Sequence, residues 1–168
     1  MKKAVLAFAL IFLIAAFFGL RWAILTGRTK HRQVDAEYHA DQNLRAIYHA
    51  QREYYVNHEF LGFPCAFSTL TASPDQLLDS RFSSGNVDGY TFTFSNCKHE
   101  ENIGFNGNVS YSLTATPVPI DGLTLRTFCM DDNINDIPRG EVVFEHPHII
   151  SSAPGSTACD QMLSEPAR

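Results

Sequence analysis

The sequence predicts an α+β fold. An N-terminal transmembrane helix runs into an amphipathic helix, and that second helix packs on an antiparallel β-meander of three or four strands. Three observations carry this expectation. Residues 4–20 contain no charged side chain. Residues 34–58 space their apolar side chains at helical intervals and contain neither Pro nor Gly. Residues 89–130 then alternate with a two-residue period, interrupted by Gly, Pro and Asp-Gly turns. A sheet with one apolar face needs a cover, and the 34–58 helix supplies it.

The first element is the run Ala4–Leu20, 17 residues long. As a helix it reaches about 26 Å, slightly short of a bilayer core of roughly 30 Å. Arg21 can snorkel, and Trp22 to Leu25 add apolar length and an interfacial aromatic. The run is longer than the core of a secretory signal, about 7–15 residues, and Arg21-Trp22 follows it where a small-x-small site would stand. Residues 1–25 are therefore expected to be a membrane anchor. Residues 26–33, TGRTKHRQ, form a basic junction at the membrane surface.

An α+β domain is expected over 34–150. In its helix Ala36, Ala40, Leu44, Ile47, Tyr54 and Tyr55 make the apolar stripe, with Leu44, Ile47 and Tyr54 as the packing face and Gln51 as an interruption. Asp41, Arg45, Arg52 and Glu53 fall mostly on other faces. Gly19 and Gly27 are possible bends, and Leu61-Gly62-Phe63-Pro64 stops the helix. Ser73-Pro74-Asp75 is expected to start a short helix that ends at Ser83-Ser84-Gly85-Asn86. Strands are expected at Gly89–Ser95, Val109–Ala115 and Leu123–Met130, with a fourth at Glu141–Glu145 and a polar loop over 98–108. Residues 151–168 form an irregular tail.

Charge is unevenly distributed. All 18 acidic residues lie from Asp35 onward, with only seven of the 13 basic ones, a formal charge of −11 for that part. Such a surface repels a phosphate backbone, so nucleic acid is excluded as a partner. The even set Cys65, Cys97, Cys129 and Cys159 in a small domain points to disulfides and an oxidising compartment, so the C-terminal domain is expected to be exported. Four cysteines allow three connectivities, which spacing does not decide. Zinc ligands usually come in close pairs, and no CxxC is present.

Other candidate sites are weaker. Asp131, Asn133 and Asn135 alternate as in a calcium loop, but Asp136 stands where Gly is needed and Val142 where Glu is needed, which rules out an EF-hand and leaves only a looser calcium site. His146-Pro147-His148 offers two metal ligands without a third nearby. Cys97-Lys98-His99 lacks a demonstrable base and orienting group for a nucleophile. His39, His49 and His58 do not share a helical face. Asn108-Val109-Ser110 is a glycosylation sequon. Neither a Gly-rich phosphate loop nor a GxSxG or HExxH motif occurs. No cofactor and no enzymatic activity are expected.

The order of elements resembles type IV pilins and the pseudopilins of type II secretion. Leu44-Arg45-Ala46-Ile47-x-x-Ala50-Gln51-x-x-Tyr54 is similar to the helix of such proteins. Similar too are Leu78-Asp79-Ser80, Gly89-Tyr90-Thr91-Phe92, Tyr111-x-Leu113-Thr114-Ala115-Thr116-Pro117, and Arg126-Thr127-Phe128-Cys129 before an acidic turn. The likeness covers about residues 34–140. It departs at the N-terminus, where pilins carry a Gly or Ala cleavage site and a Glu early in the mature helix; here no acid precedes Asp35. The resemblance thus implies the fold without processing by a prepilin peptidase or assembly into a filament. It also implies a Cys129–Cys159 bond tying the tail to the sheet, which leaves Cys65 with Cys97. The expected protein is a non-catalytic, single-pass subunit or interaction module of a bacterial secretion or pilus system. It would sit in the inner membrane, domain outward, beside other pilin-like or secretion-system subunits. The alternative is an envelope domain that binds calcium or a glycan.

Overall fold

The computed structural model describes residues 2–58, 60–72, 74–120, 122–133, 147–153 and 155, and within these no side chain before Leu13 nor that of Asn133. Two units divide the chain, Met1–Asp35 and Ala36–Arg168. Helix α1, Lys2–Asn57, contributes to both. It is helical without interruption through Gly19 and Gly27.

Among the described side chains of the first unit the large apolar ones are all exposed: Leu13, Ile14, Phe17, Phe18, Leu20, Trp22, Ile24, Leu25 and Val34. Thr26 and Thr29 donate their hydroxyls back to helix carbonyls, Thr26 to that of Trp22 at 2.9 Å and Thr29 to that of Thr26 at 2.9 Å. Among the described residues no helix is long and apolar enough to cross a membrane. The expected span Ala4–Leu20 is helical throughout, but its side chains before Leu13 lie outside the described residues. A stretch of 18 residues counted from Leu13 already takes in Arg21, Arg28 and Lys30.

In the second unit α1 buries Ala40, Leu44, Ile47, Tyr48 and Ala50 against the sheet. Gln51 does not interrupt this face but sits fully buried within it, donating Nε2 to the Pro64 carbonyl at 2.6 Å. The helix ends at Asn57, earlier than the Gly-Phe-Pro stop. The chain then turns so that Gly62 bridges Asn108 in parallel, Phe63 N–H donates to the Asn108 carbonyl, and the Asn108 amide donates to the Phe63 carbonyl.

Helix α2 is Phe67–Thr71, upstream of the helix expected from Ser73. Gln76 has a positive φ of 36°, which breaks a helical run there. Leu78 N–H instead donates to the Leu70 carbonyl and its side chain enters the core. A 3-10 turn, Ser80–Ser84, follows; the Asp79 side chain accepts from Arg81 N–H at its start and left-handed Gly85 closes it.

The antiparallel sheet has five strands in the order β1-β2-β3-β4-β5: β1 Asn86–Val87, β2 Tyr90–Asn102, β3 Phe105–Pro117, β4 Phe128–Asn133 and β5 Ile150–Ser151. This exceeds the three or four expected. Asp88 and Gly89, both at positive φ, form the two-residue turn from β1 to β2. The β2–β3 hairpin replaces the expected polar loop at 98–108: Asn102 pairs with Phe105 around Ile103-Gly104. Lys98–Glu101 alternate polar side chains because that part of the ribbon has both faces wet, which hides its period. A bulge at 95–98 places Asn96 at positive φ and hydrogen-bonds its amide to the Ser112 hydroxyl. The third expected strand starts later, at Phe128. Before it, Arg126 N–H is held by Glu37 Oε1 and Thr127 N–H by the Ser152 hydroxyl. The expected strand Glu141–Glu145 lies outside the described residues. The start of the expected tail, at Ser151, belongs to β5.

Candidate functional site

Cys65 and Cys97 are joined, with Cα atoms 6.4 Å apart. The bond ties the chain after α1 to the bulge of β2. Cys129 is buried on β4 and is also disulfide-bonded; Cys159 lies outside the described residues. No described cysteine is free, so Cys97-Lys98-His99 holds no thiol nucleophile.

Leu44 and Ile47 are fully buried, while Tyr54 lies at the margin and stacks its ring on His58, centroids 4.4 Å apart. The His58 Nε2 atom lies 3.4 Å from Asp75 Oδ2. Asp131, Asp132 and Asn133 are the end of β4 rather than a turn; residues 134–136 lie outside the described residues. Asp132 is committed to Arg52, which donates Nε at 2.8 Å and Nη2 at 2.6 Å to its two oxygens. Tyr48 faces the same guanidinium at 5.3 Å. His148 is exposed, and His146 lies outside the described residues. Among the described residues no three His, Cys, Asp or Glu gather to hold a metal. The sequon residue Asn108 has its amide engaged with Phe63.

Two phenols have perturbed acidity. Burial pushes the Tyr111 hydroxyl well above its ordinary value, and the negative charge of Asp132 adds to this. Burial and then Glu37 raise Tyr90 in the same direction, while its hydroxyl donates to the Arg126 carbonyl at 3.2 Å.

The basic residues divide into two sets that sequence reading did not separate. In the second unit Arg45 pairs with Asp41, Arg52 with Asp132, Arg81 with Asp88, Lys98 with Glu100 and Arg126 with Glu37. These are all its described lysines and arginines. In the first unit Arg21, Arg28, Lys30 and Arg32 are exposed, and among the described residues none has an acidic partner. The one acid there, Asp35, accepts from His31 at 2.7 Å. Arg28 and Arg32 lie seven and eleven residues from Arg21, intervals that bring all three to one helical face.

No protein-family model, no curated protein and no solved structure matches the chain.

Proposed function

We propose that the protein is a non-catalytic, membrane-anchored module of a bacterial envelope assembly, with a pilin-like or pseudopilin-like domain on the outer face of the inner membrane. The observation that carries this reading is the exposed apolar surface of Leu13–Leu20, extended past Arg21 by Trp22, Ile24 and Leu25, which continues an uncharged stretch from Ala4. So much apolar surface on one helix needs a non-aqueous environment. Two further features support it. The second unit lays the C-terminal part of α1 across an antiparallel sheet, the layering expected of a pilin-like domain. Its described cysteines are bonded, which suits an exported domain.

The test is to express the full chain in a Gram-negative bacterium, fractionate the cells, and measure intact mass with thiol alkylation before and after reduction. The expected product is in the inner membrane, resists alkaline extraction, retains residues 1–25, and alkylates only after reduction. Recovery from the cytosol with reactive thiols would overturn both the anchor and the compartment. A chain beginning near Leu20 would overturn the anchor and restore a processed product.

A further inference from the structure

Every described lysine and arginine of the second unit is matched to a carboxylate, whereas the four between residues 21 and 32 are not. The first unit has a single acid, Asp35, which His31 already engages at 2.7 Å, so these cations have no free carboxylate within their own unit. These unmatched cations lie within residues 21–32, Arg21 between exposed Leu20 and Trp22 and the other three just after exposed Ile24 and Leu25. Arg21, Arg28 and Arg32 share a helical face, and Lys30 lies on the other side. The helix at this level thus carries positive charge around much of its circumference, next to apolar surface. Gly27 keeps the backbone open between Arg28 and Ala23: a Cβ added there would meet nothing within 4 Å.

We infer that Arg21, Arg28, Lys30 and Arg32 form a collar that binds the headgroups of anionic phospholipids, with Trp22 at the boundary between headgroups and acyl chains. This rests on the membrane-anchored reading and deepens it. Charge complementarity selects the occupant: apolar side chains enter the acyl region while unpaired cations meet phosphate and glycerol oxygens at its edge. An acidic second unit of −10 is repelled by the same surface. The collar therefore holds α1 at one depth while the domain stays off the membrane.

The chain contains a single tryptophan, Trp22, inside the proposed collar, so its fluorescence reports this place alone. The full chain is reconstituted in bilayers containing either brominated phosphatidylglycerol or brominated phosphatidylcholine, and quenching of Trp22 is read against lipid fraction. The anionic lipid is expected to bind at least about fivefold more tightly, the factor for one basic side chain at an anionic surface. In the quadruple variant Arg21→Gln, Arg28→Gln, Lys30→Gln, Arg32→Gln the two lipids should become equal. These positions are exposed and Gln keeps helix propensity, so the variant retains its disulfides and its helix. The charge-preserving pair Arg28→Lys, Arg32→Lys should keep the preference.

Equal quenching by both lipids in the unaltered chain, or a preference that survives in the quadruple variant, overturns the collar and leaves the anchor standing. Absence of quenching by either lipid overturns the anchor as well. Equal quenching together with salt-sensitive self-association that the quadruple variant loses assigns the cations to the acidic unit of a second copy, and again overturns the collar.

Discussion

Arg52 and Asp132 stand 80 residues apart in the chain, and their side chains are 12% and 5% exposed. Removing one partner leaves a largely buried charge without its ion pair, a loss of about 3–5 kcal/mol. Arg52→Ala is expected to lower the thermal midpoint by on the order of 10 °C, and Asp132→Ala by a similar amount. Urea midpoints of the two single variants and the double variant test this, because the double variant should be less destabilised than the sum of the singles. Tyr111 presents the opposite case. Its hydroxyl is buried with no hydrogen-bond partner, so Tyr111→Phe removes a desolvated polar atom and should be neutral or stabilising by up to about 1 kcal/mol. The same phenol sets a pH dependence. Unfolded tyrosine loses its proton near pH 10 or so, whereas burial keeps Tyr111 and Tyr90 protonated in the fold. Their contribution is fully present below that pH and is lost as pH rises beyond it. Urea midpoints at alkaline pH should therefore fall, and fall less steeply for Tyr111→Phe.

Element by element, the segment after α1 is the tightest joint in the second unit. Gly62 has φ +63°, and an added Cβ would meet the backbone of Asn108; one added at Gly107 would meet the Leu61 carbonyl. Both clashes are with backbone, which has no rotamer to offer. Gly62→Ala and Gly107→Ala should each cost more than about 2 kcal/mol, whereas Gly104→Ala, with open space at a hairpin tip but φ +86°, should cost about 1 kcal/mol. Denaturation midpoints separate these cases. The sequence revealed the period of elements that bury one face: Leu44 and Ile47 on α1, Tyr90 and Phe92 on β2, Tyr111 and Leu113 on β3. It concealed the outer β2–β3 ribbon, since alternation carries no contrast where both faces are wet. The helix expected from Ser73-Pro74-Asp75 to Ser83-Ser84-Gly85-Asn86 forms only as the 3-10 turn Ser80–Ser84, because Gln76 adopts positive φ and Leu78 docks on α2, a tertiary choice that outweighs the local Ser-Pro-Asp signal. The Arg52–Asp132 pair had no signal at all, since nothing local relates residues on a helix and a strand so far apart. For the same reason the unpaired collar emerged only once the other cations had found their partners.

On the scale of the whole molecule, the two units differ in what they demand of their surroundings. The first exposes Phe17, Phe18 and Trp22 and is basic; the second buries Phe63, Phe82, Tyr90, Phe92 and Tyr111, pairs its described cations and is strongly acidic. Every buried core residue, from Ala40 to Met130, lies in the second unit, as does the Cys65–Cys97 bond. A fragment beginning at Ala36 therefore retains the hydrophobic contacts that drive folding and sheds the surface that opposes solubility. It retains only the last 22 residues of α1, through Asn57. A helix of that length is marginal alone, so packing on the sheet rather than propensity must hold it. The fragment is expected to be soluble without detergent, to unfold in one cooperative transition, and to match the urea midpoint of the full chain in detergent within about 0.5 kcal/mol of stability. Reduction of its disulfides should lower that stability by roughly 3–4 kcal/mol for each bond lost. A fragment that stays unfolded, or melts well below the full chain, would show that residues 1–35 contribute to the fold as well as to its attachment.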